Sequence, residues 1–414
     1  MGATSRKGGF TMRLDSLIVI FTGIFRVFSL YFLVVALFAL KRFKGFEQAK
    51  PKTKFACLIA ARNEEQVIGQ LVESLREQDY PDSLYNIYVI PNNCTDATEQ
   101  AACRAGAQIL NCRKSVCCKG DALREAVGQL LPRGYDAFCV FDADNVVDRK
   151  FLPHMNDAFL SGAKVAKGVL RVKNPEDSWV SGWYGLYFTL FDTFYSRARA
   201  NCGLSAKLVG TGFAAHREVF EQLGGWNTQT IAEDAEFSAQ CAALGVRIHH
   251  VPDAVTYDEA PVTLSVSMRQ RRRWCSGIMT VAQLRLKTLL PVLGKKGGMR
   301  ALDMLAFLIA PFTQALSWVP FVLSLISAAA GGSLRGFLLG TLIALATAWL
   351  GCTVFAAILA GLGGYGAKVI RSILTFPVFM VSWIPLQFLS LVRRTREWKA
   401  ITHTRSISVE ELTH

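Results

Sequence analysis

Four long apolar stretches frame a polar middle in this chain of 414 residues. The first runs from Ser16 to Leu40 and is interrupted once, by Arg26. The other three, roughly 304–329, 336–360 and 372–392, fall within Ala301–Val392, where only Asp303, Arg335, Lys368 and Arg371 carry charge. A helix needs ~20 residues to cross a ~30 Å hydrocarbon layer, and each stretch is long enough. Buried core helices would account for one such run, but four around a polar segment predict membrane spans. The expected layout is a tail over 1–15, an anchor over 16–40, about three spans in 301–392 and a basic tail over 393–414. The first stretch is too long for a signal peptide and ends in basic residues, not in a small-residue cleavage site.

The pattern changes within 41–300. Phe55–Ala61 is a continuous apolar run stopped by Arg62-Asn63-Glu64-Glu65, the signature of a strand buried on both faces. Val67, Ile68, Leu71, Val72 and Leu75 follow at helical spacing. Asn86–Ile90 reads as a second strand, with helices expected at about 96–105 and 120–130 and a third strand at Ala137–Phe141. Alternating strands and helices of these lengths predict an open, mostly parallel α/β sheet, in which ligands bind beyond the carboxyl ends of the strands. The polar clusters Arg62–Glu65, Asn92–Asp96 and Asp142–Asp144 lie at those ends.

Composition sharpens this in two places. The 46 Lys and Arg against 32 Asp and Glu give a net charge of +14. Lys41, Arg42, Lys44, Lys50, Lys52 and Lys54 directly follow the anchor, which predicts a multi-pass protein of the plasma (inner) membrane with 41–300 in the cytoplasm. Much of the charge is then a membrane-flanking feature attracted to lipid head groups, not a nucleic-acid footprint. Ten of the eleven cysteines lie in 41–300 without framework spacing, as thiols in a reducing compartment would. One conflict stands: three spans would put the tail outside, yet Arg393, Arg394, Arg396, Lys399 and Arg405 favour the inside. The segment 372–392, with Pro377 and Pro385, is the candidate not to cross fully. No motif assigns an oligomeric state.

Candidate chemistry is concentrated in a few motifs. Asp142-Ala143-Asp144 places two carboxylates where they can bind a divalent cation or a ribose, although Asp-x-Asp also occurs in solvated turns. Gly210-Thr211-Gly212 would let a backbone approach a ligand, or form a tight strand entry. Glu233-Asp234 opens a helix, where acids complement the dipole and where a general base would stay ionised. Gln270-Arg271-Arg272-Arg273-Trp274 lies in a basic stretch before the membrane, expected as amphipathic interfacial helices over 261–300. Its alternatives are contact with lipid head groups or a diphosphate clamp with an aromatic face for a sugar.

In this order, Asp-x-Asp, Glu-Asp and Gln-x-x-Arg-Trp, with Tyr257-Asp258-Glu259-Ala260-Pro261 between the last two, the chain resembles the membrane-integrated family 2 glycosyltransferases. Cellulose, hyaluronan, poly-N-acetylglucosamine and chitooligosaccharide synthases belong to that group. The resemblance implies a GT-A catalytic domain over 41–260 and inverting, metal-dependent transfer from a UDP-sugar, with extension and translocation of a β-linked glycan. It implies that Asp144, with Asp142, holds Mg²⁺ or Mn²⁺ against the diphosphate. Asp234 would be the base, supported by Glu233. Arg62, Glu64, Asn92, Asp121, Asp142, Gln270 and Arg273 would contact the donor, and Trp274 and Gly210–Gly212 the acceptor. Ceramide glucosyltransferases share a related last motif, so transfer of one sugar to a lipid is the alternative. Departures from the pattern are Asn92 for a uridine-contacting Asp, Ala232 for Thr and Ala61 for Pro.

Overall fold

Phe55, Cys57 and Ile59 of the first strand face one layer of helices, and Ala56 and Leu58 face the other. That alternation is the period of two that a strand buried on both faces must show. In the computed structural model, which describes residues 2–331, 333–395, 405, 407 and 411, the strand is β1 (Phe55–Ala61). The others are β2 (Tyr85–Pro91), β3 (Gln108–Ile109), β4 (Ala137–Asp142), β5 (Val146–Val147), β6 (Val165–Val172), β7 (Phe213–His216) and β8 (Ile248–Asp258). They form one sheet in the order β3-β2-β1-β4-β7-β6-β8-β5.

The sheet has two halves. β3, β2, β1 and β4 are parallel, so β1, β2 and β4 end together, with Ala61 opposite Pro91 and Ala60 opposite Asp142. β7 then runs antiparallel to both β4 and β6, and β5 antiparallel to β8. The sequence pattern predicts β1, β2 and β4 to within a residue at each end and predicts neither β3 nor the second half.

The helices, in chain order, are α1 (Gly2–Leu37), α2 (Ile68–Arg76), α3 (Thr98–Ala105), α4 (Lys119–Leu130), α5 (Phe151–Leu160), α6 (Trp179–Leu190), α7 (Ala198–Asn201), α8 (Arg217–Leu223), α9 (Glu233–Ala243), α10 (Leu264–Leu289), α11 (Gly298–Leu316), α12 (Val319–Ala330), α13 (Leu334–Gly363), α14 (Ile370–Val381) and α15 (Trp383–Val392). On one face of the sheet, Leu71 and Leu75 of α2 and Phe151 and Met155 of α5 pack on β1 and its neighbours. On the other, Leu123 and Val127 of α4 and Phe237 of α9 do so. Fully burying each such side chain is worth roughly 1.5–3 kcal/mol.

Among the described residues, four helical segments are long and apolar enough to cross a membrane: Leu14–Leu40, Gly298–Ala330, Leu334–Gly363 and Gly366–Val392. Four sequence boundaries change. The first helix begins at Gly2, so the expected 1–15 tail is its opening turns. The stretch 304–329 is divided between α11 and α12, and 372–392 between α14 and α15, where Pro377 and Pro385 interrupt the hydrogen-bonding donors. Over 261–300, where amphipathic interfacial helices are expected, α10 occupies Leu264–Leu289 and α11 begins at Gly298.

A buried triad ties these parts together. Arg199 of α7 donates from Nε and Nη2 to Asp303 of α11 at 2.9–3.1 Å, and the Tyr31 hydroxyl of α1 donates to the same carboxylate at 2.6 Å. The tail residues Arg396 and Lys399 lie outside the described residues, whereas Arg405 sits against the sheet domain.

Candidate active site

The ends of β1, β2 and β4 bring the predicted polar clusters to one edge. Asp142 closes β4, and the chain turns through Ala143–Asn145 into β5. The Asp142 N–H donates to Asn145 Oδ1 (3.0 Å) and to Thr211 Oγ1 (3.1 Å). Thr211 is 1% exposed and its hydroxyl also donates to Asn145, so it braces the carboxylate turn from behind and does not face an acceptor. Asn145 Nδ2 in turn donates to Asp258 (2.9 Å), at the end of β8. Asp144 Oδ2 accepts from the Glu259 N–H (3.1 Å). The phrase Tyr257–Pro261 thus serves the Asp-x-Asp turn directly.

Lys119, at the start of α4, joins the two acidic motifs. Its Nζ lies 2.5 Å from Asp142 Oδ1 and 3.7 Å from Glu233 Oε1, and donates to the Gly210 carbonyl at 2.7 Å. Burial works against its charge, but Asp142 and Glu233 outweigh it and hold its pKa above the usual value. Glu233 responds oppositely: burial, with the nearby Asp234 and Asp142, overcomes the attraction of Lys119 and raises its pKa to about 7. The approach of α4 to Glu233 requires Gly120, since a Cβ there would stand 2.8 Å from Thr228 Oγ1.

Asp234 occupies the first turn of α9, where Oδ1 accepts from the Ala235 N–H (2.7 Å). Two buried cations share its neighbourhood. Burial lowers Lys167 and Lys207 to about 8 each, with Asp234 opposing the shift in both. Lys167 Nζ is bonded to the carbonyls of Gly168 and Gly212, and Lys207 Nζ lies 4.0 Å over the Phe307 ring.

The Gln270–Trp274 motif lies on α10 beside this cluster. The contact is at Gly277, where a Cβ would meet Ala232 Cβ at 2.7 Å, so only glycine lets α10 pass so close to the start of α9. Lower on α10, Arg285 pairs with the fully buried Glu236. Arg271 is fully buried, donates to the Phe379 carbonyl (3.2 Å) and Ser382 Oγ (2.7 Å), and stacks over the Phe379 ring at 4.4 Å. Gln270 Oε1 is buried without a hydrogen-bond partner. Arg273 has no hydrogen bond or ion pair among the described residues. The Trp274 ring stacks on Trp383 (6.3 Å, 21°) and stands 6.0 Å from Tyr184.

The remaining predicted residues divide. Asn92 is buried at the end of β2, its Oδ1 accepting from Asn93 Nδ2 (3.1 Å). Glu64 is buried after β1, its N–H donating to Thr98 Oγ1 (2.8 Å), and Arg62 is half-buried beside it. Asp121 faces away: its carboxylate accepts from the Cys117 N–H (3.1 Å) and pairs with Arg124 (2.9 Å). Within that loop Lys119, not Asp121, enters the site. Arg405 completes the rim, donating to Asp177 (2.8 Å from Nε) and, from its N–H, to Glu259 (3.1 Å). Its carbonyl accepts from Lys173 Nζ (2.8 Å), which also donates to the Asp144 carbonyl (2.8 Å). Lys119 and Arg405 were missed in the sequence. The Lys119-Gly120 pair at a helix start was a usable signal; Arg405 offered only its charge.

Asp142 and Asp144 fit a divalent cation as a partial ligand set. Among the described residues no group of three His, Cys, Asp or Glu side chains is placed to hold a metal ion. Two carboxylates at a strand end completed by diphosphate oxygens is a common arrangement for Mg²⁺.

The family described as "Glycosyl transferase family group 2" matches residues 137–386, from β4 through the basic helix into α15. A probable glycosyltransferase, YdaM, of Bacillus subtilis is 30% identical over 244 residues, covering 56% of this chain and 57% of that protein. A beta-monoglucosyldiacylglycerol synthase of Nostoc is 26% identical over 278 residues, covering 64% and 57%. The chain thus spans a little over half the length of these relatives. The solved mannosyltransferase PcManGT of Pyrobaculum calidifontis, in complex with GDP-Man and Mn²⁺, aligns over 88% of this chain and 99% of its own with a TM-score of 0.61. At 19% identity that likeness establishes the fold, a GT-A-like domain.

Proposed function

The chain belongs to glycosyl transferase family group 2, and from that premise we propose that it transfers a sugar from a UDP-sugar, with inversion, to a hydroxyl presented at the membrane face. The observation that carries this reading is the convergence on Lys119 of Asp142, from the end of β4, and Glu233, from the start of α9. It sets the donor-side carboxylates and the Glu233-Asp234 pair around one space.

In the proposed reaction Asp234 takes the proton of the acceptor hydroxyl as that oxygen attacks the anomeric carbon, and the UDP oxygen leaves from the opposite face. Lys167 and Lys207 place positive charge near Asp234, which opposes the lowering of both ammonium pKa values by burial. Arg273 and Gln270 face the diphosphate, where a fixed guanidinium stabilises the charge on the departing oxygen. Asp144 and Asp142 would hold Mg²⁺ or Mn²⁺, which supplies further charge neutralisation at the diphosphate. Asn92, Glu64 and Arg62 lie at the strand ends toward the nucleoside.

The acceptor we favour is a lipid, not a growing polymer. The Trp274 face over which a glycan would slide is stacked on Trp383, and the Nostoc relative is a glucosyldiacylglycerol synthase by name. For membrane topology we propose that α1, the α11–α12 pair and α13 cross, and that the broken α14–α15 pair lies along the interface against α6 and α10. That count returns Arg405 to the side of the catalytic domain, which resolves the charge conflict of the tail. The test is a screen of UDP-sugars for UDP release in nanodiscs, with mass analysis of the product. One sugar on a lipid supports the reading, and a ladder of glycan lengths overturns the choice of acceptor. Asp144→Asn should raise the Mg²⁺ or Mn²⁺ concentration needed for half-maximal activity at least ~10-fold, and an unchanged titration removes it from the metal site.

A further inference from the structure

A cavity of about 470 Å³ opens between the segment just after α7 and the start of α11, well away from the acidic cluster. Leu204, Met299 and Leu302 give it an apolar wall, and Lys295 and Arg300 a cationic one. Its position is fixed on both sides. Asn201, just before the lining residue Cys202, donates to the carbonyls of Phe38 and Lys41 at the end of the first apolar segment. Arg300 begins the second apolar segment. The cavity therefore sits at the depth where hydrocarbon gives way to head groups, flanked by the exposed Lys41, Arg42 and Lys44.

Its charge is uncompensated. Arg300 donates to the Gly245 carbonyl (2.8 Å), and Arg247 to the carbonyls of Leu204 (3.1 Å) and Ala200 (2.7 Å). Neither guanidinium has a carboxylate partner among the described residues. Burial and the nearby Arg300 guanidinium hold the Arg247 pKa below its ordinary value, as expected of two cations that share a partly buried place. Arginines in such a setting are satisfied by an anion from outside, and guanidinium matches phosphate best.

We infer that this cavity binds the phosphodiester head group of an anionic phospholipid, with Arg300 and Lys295 on the phosphate, Arg247 adding positive charge from behind the wall, and Met299 and Leu302 on the start of the acyl chains. The lipid is not the acceptor. Gly245 lies beyond the far end of α9 from Asp234, and the eleven residues of that helix span about 16 Å. A lipid here clamps α9 and α11 together from the end opposite the base.

The inference rests on the membrane reading above, and one preparation separates the two. Membranes are first washed with carbonate. If the protein is released as a soluble species, the membrane reading fails; if it stays, only the lipid site is in question. Protein purified in detergent is then heated with phosphatidylglycerol, with phosphatidylcholine or with inorganic phosphate. Phosphatidylglycerol should raise Tm by about 3–6 °C, and the other two should leave it unchanged. Arg300→Gln and Lys295→Gln should each remove at least half of that shift, and Lys164→Gln, whose exposed pair with Glu218 lies on the sheet domain, should retain it. Lys295 is exposed, so its variant folds even where Arg300→Gln does not. Equal shifts with phosphatidylcholine, an equal shift with phosphate alone, or full retention of the shift in Lys295→Gln would overturn the site.

Discussion

At the strand ends, Asp142 and Glu233 answer to one ammonium, Lys119, and the Asp-x-Asp turn is braced by Thr211, Asn145, Asp258 and Glu259. On the basic helix facing them, Arg271 donates from Nη1 to a carbonyl and a hydroxyl and lies over an aromatic ring, but its Nε and Nη2 and the Gln270 Oε1 are buried without partners, and the half-buried Arg273 has none among the described residues. The acids are compensated by a side chain they share. The basic motif divides its work along a single helical turn, with one arginine fastening the helix and another kept for a ligand. In a buried setting, an unpaired donor or acceptor costs ~1–3 kcal/mol, so the open valences of α10 mark where a ligand belongs more sharply than the satisfied acids do.

Substitutions that break this contrast should be graded in size. Asp234→Asn should lower kcat ~10²–10⁴-fold while UDP affinity, measured by calorimetry, stays within about twofold; a parallel loss of UDP binding would move Asp234 to the donor side. Arg271→Ala should destabilise the protein by roughly 2–3 kcal/mol, read as a lower thermal midpoint in detergent. Arg273→Lys should do the reverse, weakening donor affinity ~10-fold with the midpoint unchanged. If the two arginines exchange these outcomes, the division of labour is wrong.

The smallest effect concerns pH. Glu233 ionises at about 7 in the folded protein against an ordinary 4.5, so between these values the folded state binds more proton than the unfolded one. Stability should then fall as pH rises through that window. Glu233→Gln should flatten the decline of the thermal midpoint between pH 5 and 7, and an unchanged slope would show that another group causes it.

Much of this was legible before any coordinates. Strands buried on both faces write themselves as unbroken apolar runs, which is why β1 and β4 and the polar clusters at their ends were found. β6 and β8 are not, because Lys167 is buried within the first and His250 within the second and they blur the apolar pattern, and β7 is only four residues long. Among site residues, short-range motifs such as Asp142–Asp144 and Glu233–Asp234 announce themselves, since their members share one turn. Lys119 and Arg405 depend on contacts 23 and 228 residues away in the chain, and nothing local encodes those. The glycines flanking Thr211 point to a ligand in the sequence, whereas in the structure its hydroxyl serves the turn behind Asp142.

The Arg199–Asp303–Tyr31 triad bears on the order in which the molecule is assembled. A carboxylate in an otherwise apolar helix is an unfavourable passenger for a bilayer, and Asp303 is neutralised only when Arg199 and Tyr31 reach it. Arg199 precedes Asp303 by 104 residues, so a chain made from its amino end has the partner in hand before the acid emerges. Biogenesis would then be sequential, with the catalytic domain folded first and the later helices received onto it, and a domain that fails to fold would leave α11 without a counter-ion and open to quality control.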